Sequence, residues 1–321
     1  MAPQQPSLAD CHMIPETIKS HIEVLGPLTE QNQNPTLFRY MKLSTLLLLL
    51  EGKAFFPSVS SLCKDDPFEG ELFCEDAWLM TELIAFRGQD TEGKLDRWLL
   101  EHASGWEKKS IESPETSASF RSQLLSQIYA RELKERRAAW CWFQDDLESA
   151  AMWSAYGHKG VAVRTNLNAL KSALPSTRPF QVARMRYVDR RPSSENAFDA
   201  ERNDRHLILR PHLLKAIEYK HENEIRVVTE CLAKCGGVVV EQIGWRALIE
   251  GIIISPLLPV QESEAIKAML EKYPWEKGVS IERSNLLPDN SMHSFDGLFE
   301  AIRQDKGGCY ELGLPAPIAE L

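Results

Sequence analysis

The chain has 321 residues, 43% hydrophobic and 26% charged, with a formal net charge of -9. This length and composition belong to an ordinary globular protein able to bury a substantial core. The negative balance excludes broad electrostatic adhesion to nucleic acid or anionic lipid, but not a local basic cleft.

An odd count of seven cysteines in a chain this long argues against a secreted disulfide framework. Cys231 and Cys235 lie near His206, His212 and His221, but the spacing fits no standard zinc site. Buried free thiols are expected, and no metal. The apolar run Leu46 to Leu50 is too short to span a bilayer, and no apolar signal core is visible at the N-terminus. The expected location is the cytoplasm, with no membrane partner.

In chain order, residues 1 to about 12 read as a polar tail. Helical spacing of Ile14, Ile18, Ile22 and Leu25 predicts a helix after Pro15. Residues 1–36 thus form a tail and helix ahead of the main domain. Leu37-Phe38-Arg39-Tyr40 reads as a strand. Ser44 is placed to cap a helix running to Glu51, and Gly52 sits where a helix C-terminus favours glycine. Lys53 to Pro57 is a second strand, followed by a hydroxyl-rich turn from Ser58 to Ser61 and another turn around Asp65 to Glu69.

A helical insertion is expected over about 71–140. It contains helices Glu71 to Phe86, Leu95 to His102 and Phe120 to Trp140, with a loop from Ser110 to Ser119. The charged face of the last helix reads as solvated surface. Trp140 to Phe143 then reads as a buried strand. Trp153 and Tyr156 are three residues apart, on one face if that segment is helical, and Gly157 and Gly160 flank His158 in a tight turn. Strands follow at Val161 to Arg164 and Val182 to Val188. Asp189 to Asp204 reads as an exposed insertion, and His206 to Ala216 as helical. Val238 to Val240, Ile249 to Ile254 and Val279 to Glu282 read as late strands, with an amphipathic helix from Gln261 to Lys272. The main domain spans 37–290 and an irregular tail 291–321. No repeats occur.

The most informative stretch is His221-Glu222-Asn223-Glu224-Ile225-Arg226-Val227-Val228. Read as a strand, it places Glu222, Glu224 and Arg226 on one face and Asn223, Ile225 and Val227 on the other. Such a face is either a solvated edge or a carboxylate pair aimed into a cleft.

Four blocks together carry a resemblance: Leu37-Phe38-Arg39-Tyr40, Asp66-Pro67-Phe68-Glu69, Met152-Trp153-Ser154-Ala155-Tyr156 with Gly160-Val161, and Glu222-Asn223-Glu224-Ile225-Arg226. Their order and separation resemble the bacterial domain-of-unknown-function family 2971 over roughly Leu37 to Ile254. That name implies no activity. A more distant resemblance is to ADP-ribosyltransferases, which begin with a strand bearing Arg or His, then a helix, a glycine and a strand with a hydroxyl residue, and end in a strand with Glu-x-Glu. Arg39 matches the first position, Ser58 or Ser60 the hydroxyl position, and Glu222 and Glu224 the last.

This second resemblance implies an α+β fold with a split mixed or antiparallel sheet and helical insertions, and NAD as a substrate. Glu224 would stabilise an oxocarbenium-like ribose. Glu222 would orient or deprotonate the acceptor. Arg39 would pair with the pyrophosphate. Tyr40, Trp153 or Tyr156 would stack on a ring, His158 would donate to a phosphate, and Arg226 would position the carboxylates. The implied partners are a macromolecular target, nucleic acid or protein, and an antitoxin or operon partner, as for a bacterial toxin or phage-defence effector. Two other readings stay open. One is a metal-dependent nuclease or hydrolase using Asp66, Glu69, Glu222 and Glu224 around magnesium. The other is a non-catalytic sensor or partner-binding protein in which the carboxylate-arginine strand is structural.

Overall fold

The computed structural model describes residues 21–25, 28, 34–62, 69, 94–188, 211–231, 236–275 and 278–286. The predicted helix over Glu71 to Phe86, the insertion Asp189 to Asp204, the tail 291–321, His206, Asp66 and Cys235 lie outside them.

The fold is α+β. Its strands in chain order are β1 (Ile22–Leu25), β2 (Thr36–Met41), β3 (Lys53–Pro57), β4 (Arg137–Gln144), β5 (Val161–Asn166), β6 (Phe180–Arg184), β7 (Arg186–Val188), β8 (Leu214–Ala216), β9 (Glu224–Glu230), β10 (Gly237–Glu241), β11 (Gly251–Ile254) and β12 (Ser280–Arg283). Eight of them form one mixed sheet in the order β1-β6-β9-β4-β2-β5-β11-β12. The edge pairs β1–β6 and β11–β12 are parallel, and the interior pairs are antiparallel. Strands β3 and β10 form a separate antiparallel ribbon, and β7 and β8 a short parallel pair.

Alternation along the central strands divides the core. Trp140 and Trp142 of β4 and Ile225 and Val227 of β9 point to one face and join the main hydrophobic cluster. That face is covered by helices α1 (Leu43–Leu50), α6 (Leu167–Ala173), α7 (Trp245–Leu248) and α8 (Val260–Leu270), each of which gives leucines or other apolar side chains to the same cluster. On the opposite face lie two smaller clusters. One is built on Phe38, Tyr40, Phe143 and Trp153, the other on Val59, Ala139, Ala183, Met185, Leu213 and Val228. Helix α2 (Val59–Leu62) belongs to the second. Helices α3 (Lys94–His102), α4 (Gly105–Glu112) and α5 (Ala118–Arg136) pack around their own cluster of Trp98, Leu99, Leu125, Ile128 and Tyr129.

Several expectations need correction. Ile22–Leu25 is an edge strand beside β6, not the end of a helix: its four apolar-spaced residues pair with Phe180–Ala183. Lys42, not Ser44, is the cap of α1, and it makes no side-chain capping bond. Residues Ser110 to Ser113 are not all loop. A capping box between Ser104 and Glu107 starts α4, and the helix runs to Glu112. That box, serine followed three residues later by glutamate, was readable in the sequence. The long helix ends at Arg136, and its charged face is only partly solvated, since Glu132 and Lys134 are buried. Of the segment His206 to Ala216, the described part is not an α-helix: a 3₁₀ turn over Pro211–Leu213 leads into β8. Ile249 precedes β11 instead of opening it. Gly52 does terminate α1, with φ of 74°, the left-handed conformation that glycine adopts without strain.

Candidate functional site

The second face of β9 and β4 carries Glu224, Arg226, Cys141 and Phe143. Cys141 lies opposite Arg226 and Phe143 opposite Glu224 in the antiparallel register. Polar side chains here sit between the two smaller clusters and form the floor of a cavity of about 270 Å³. Its walls come from β2 through Arg39 and Tyr40, from α2 through Ser61 and Leu62, and from the turns carrying Glu69, Tyr156, Tyr219 and Glu222. Lys215 of β8 completes it.

Glu222 does not lie on the strand. A 3₁₀ turn spans Ile217–Glu222, and Asn223 then adopts φ of 43° and ψ of 52° before β9 begins. Asparagine tolerates this left-handed conformation better than most residues. Its side chain is also held, with Nδ2 donating to the Gln144 carbonyl at 2.9 Å and Oδ1 accepting from Arg184 at 2.9 Å. The reversal breaks the period-two alternation, yet Glu222 still faces the cavity beside Glu224.

The charged groups are closely paired. Arg226, 1% exposed, donates from Nε to Glu224 Oε1 at 2.6 Å and from Nη2 to Glu224 Oε2 at 3.2 Å. It also donates to Glu69 and, at 2.8 Å, to the His212 carbonyl. Lys215 Nζ donates to Glu222 Oε2 at 2.6 Å and lies 3.7 Å from both Glu69 and Glu224. The Tyr156 hydroxyl donates to the other Glu222 oxygen, Oε1, at 2.8 Å. Tyr156 is 40% exposed, and its ring stacks on Phe143 with centroids 5.1 Å apart at 27°. The Phe143–Tyr156 pair is therefore an aromatic wall ending at solvent.

These pairings set the protonation chemistry. Burial alone would push the Glu224 carboxyl up, but the charge and hydrogen bonds of Arg226, with the charge of Lys215, hold it below the usual carboxylate range. Burial likewise opposes the charged form of Lys215, but the carboxylates Glu224, Glu69 and Glu222 raise its pKa. Burial and the charge of Glu224 raise the Cys141 thiol, so it is a poor nucleophile. Burial and the charge of Glu222 raise the Tyr156 phenol. Both remain protonated donors at neutral pH.

Arg39 enters differently. Alternation places it with Leu37 and Met41, on the main-core side of β2. Strands β2 and β4 pair only at Leu37–Gln144 and Phe38–Phe143. Beyond that point the Arg39 guanidinium donates to the Cys141 carbonyl, sits 5.6 Å from the Trp140 ring centroid and reaches the cavity. Among the described residues it pairs with no carboxylate, and its Nε is buried without a hydrogen-bond partner. Burial lowers its pKa, as expected for a cation with incomplete compensation.

Of the residues singled out from sequence, Arg39, Tyr40, Tyr156, Glu222, Glu224 and Arg226 converge on this cavity. Others do not. Trp153 is a core residue: its ring meets Tyr40 edge-on at 4.9 Å and its indole donates to Glu148 at 2.7 Å. His158 has an exposed side chain away from the cavity lining, and its carbonyl accepts from Ser255. Ser58 is buried, with its hydroxyl bonded to Ser60 and Ser61, so Ser61 is the serine at the cavity wall. Tyr40 contributes less than expected, because its hydroxyl accepts from the Ser149 amide at 2.7 Å and is pushed up to about 12 by burial.

Sequence reasoning missed Lys215, Cys141 and Tyr219. No local pattern marks Lys215. Cys141 was legible only as a strand residue beside two tryptophans. Cys141 and Cys231 are free thiols. Among the described residues no group of three or more His, Cys, Asp or Glu side chains is arranged to hold a metal, and no helix is long and apolar enough to cross a membrane. Comparison with family models, with curated proteins and with solved structures finds no match to this chain.

Proposed function

We propose that the chain is an ADP-ribosyltransferase-like enzyme that uses NAD as substrate and modifies a macromolecule, nucleic acid or protein. The observation that carries this reading is convergence. Arg39, Tyr156 and the neighbouring pair Glu222 and Glu224 come from three segments far apart in sequence and line one cavity. In the proposed reaction the bond between nicotinamide and ribose breaks, and nicotinamide leaves with the electron pair. The ribose C1 then bonds to an acceptor oxygen or nitrogen, whose proton passes to Glu222. Glu224, held ionised by Arg226, stabilises the positive charge on the ribose as it develops. A carboxylate has about four acceptor positions, so the bonds from Arg226 leave Glu224 able to accept from a ribose hydroxyl. Tyr156 extends the Phe143 stack toward a planar ring, and Arg39 supplies positive charge near a phosphate.

The cavity of about 270 Å³ is just below the range of roughly 300–1,000 Å³ for small-molecule sites. On this reading it receives the nicotinamide-ribose end, and the adenylate half lies outside it. Two observations bear on the other readings. Lys215 Nζ stands between Glu69, Glu222 and Glu224, where a divalent cation bridging them would sit, which weighs against the nuclease. The buried Arg226 bound to Glu224 and Glu69 suits a structural role and supports the non-catalytic reading.

Release of nicotinamide from NAD separates them. The expected result is release by the wild-type chain and a fall of about 10²–10³-fold in Glu224→Gln, the loss typical when one preorganised group is removed. Equal rates in the two proteins, or no release by either in the presence of cell extract, would sink the transferase reading.

A further inference from the structure

The cavity contains a cation that the transferase reading leaves without a role. Lys215 sits on the short strand β8, next to Tyr187 of β7 in the parallel register. Its side chain is buried, 6% exposed, and a lysine is seldom buried unless its ammonium is paired. Here Nζ lies 2.6 Å from Glu222, 3.7 Å from Glu69 and 3.7 Å from Glu224, and 4.8 Å from the Tyr219 ring centroid. Its ammonium is within ion-pair distance of all three carboxylates, whereas the ion pairs of Arg226 reach Glu69 and Glu224.

We propose that Lys215 is a positioning residue whose ammonium, shared among Glu69, Glu222 and Glu224, fixes the Glu222 carboxylate and keeps the three-carboxylate cluster charged. Two clamps define Glu222: Lys215 on Oε2 and Tyr156 on Oε1. With both oxygens held, the carboxylate plane is set, and its unused lone pairs face a group entering beside the Tyr156 ring. The charge count explains the second half. Among the described residues lining the cavity, the carboxylates Glu69, Glu222 and Glu224 face the cations Arg226, Lys215 and Arg39. Cys141, Tyr156 and Tyr187 also face this cluster, and burial raises each of them so that they bring no charge near neutral pH. Among the described residues, removing Lys215 leaves Glu222 with no cation within ion-pair distance, beside the Glu224 carboxylate. Like charges this close cannot all stay ionised, so one takes up a proton.

The role in turnover rests on the transferase reading, but the charge-holding role can be read without substrate. Infrared spectroscopy of protein carrying isotope-labelled glutamate reports protonated carboxyl groups directly. The expected result near neutral pH is no such band in wild type or Lys215→Arg, and a band of about one carboxyl in Lys215→Met. Lys215→Gln, whose amide can still donate to Glu222, is the second variant and carries the same expectation. A folded Met or Gln variant without the band, or a band already present in wild type, overturns the proposal. In nicotinamide release, the acid limb of the kcat profile is expected to move up by about 3 to 5 pH units in Lys215→Gln, and Lys215→Arg to restore it. An unmoved limb in an active variant also overturns it. No release by wild type would sink the transferase reading and leave the infrared result to decide on Lys215.

Discussion

Arg226→Met tests whether the cluster is organised as described. Arg226 is 1% exposed and donates to Glu224 twice, to Glu69 and to the His212 carbonyl. Methionine fills much of the same volume but removes the arginine from Glu224 and Glu69. Removing one partner of a buried pair costs about 3–5 kcal/mol. At roughly 2–4 °C per kcal/mol for a domain of this class, that is a fall in Tm of about 6–20 °C. The sign of the pH dependence follows from Glu224. Its folded-state pKa lies below its ordinary 4.5, so its pairing contributes fully above that value and is lost as pH falls through the folded value. The gap between wild type and Arg226→Met should therefore be widest near neutral pH and narrow in acid, where protonation relieves the unpaired charge. Urea unfolding followed by tryptophan fluorescence measures this, since Trp140 and Trp142 lie in the main core on the same strands. A gap under about 1 kcal/mol at neutral pH, as for an exposed ion pair, would refute the reasoning, and so would a gap that widens in acid.

Other expectations follow from single residues. Arg39→Met removes a half-buried cation whose Nε has no hydrogen-bond partner, so stability should hold or rise, while on the transferase reading calorimetry should show NAD binding weakened by about 1.5–3 kcal/mol, the worth of a charged hydrogen bond. Tyr156→Phe keeps the stack on Phe143 and loses only the bond to Glu222. It should unfold within about 0.5–1.5 kcal/mol of wild type, whereas Tyr156→Ala should also lose ligand affinity. Asn223→Ala, at φ of 43°, should cost about 1–2 kcal/mol from the backbone alone, plus the bonds to Gln144 and Arg184, in the same unfolding assay. Gly160→Ala should prevent normal folding, seen as loss of soluble protein, because a Cβ there would collide with the Met41 carbonyl.

Much of the fold was legible because its signals are local. Gly52 ends α1, Trp140 to Phe143 is a buried strand, and the apolar runs around Val161 and Ile252 form neighbouring central strands. The failures occur where tertiary context outweighs a short pattern. Ile22 and Leu25 have helical spacing, but four residues are equally satisfied by a sheet edge. Lys215 lies in an apolar-spaced segment that reads as helix, and only the pairing of β8 with β7 turns its ammonium inward. Period two held for Glu224 and Arg226 but not for Glu222, because Asn223 reverses the chain. Asparagine, a turn-favouring residue, directly before the strand was the available clue. Arg39, singled out from sequence, lines the cavity, although strand alternation alone would have sent it into the core. The early separation of β2 from β4 is what lets it reach the cavity. Trp153 shows the opposite case, an aromatic beside a glycine turn that proved to be packing.

The most direct test of the transferase account is transfer of label from adenylate-labelled NAD to macromolecular material in a cell extract. The expected result is nuclease- or protease-sensitive labelling by the wild-type chain that falls by about 10²–10³-fold in Glu224→Gln, with the variant folded. Macromolecular label at equal levels in both proteins, or in neither, would contradict it.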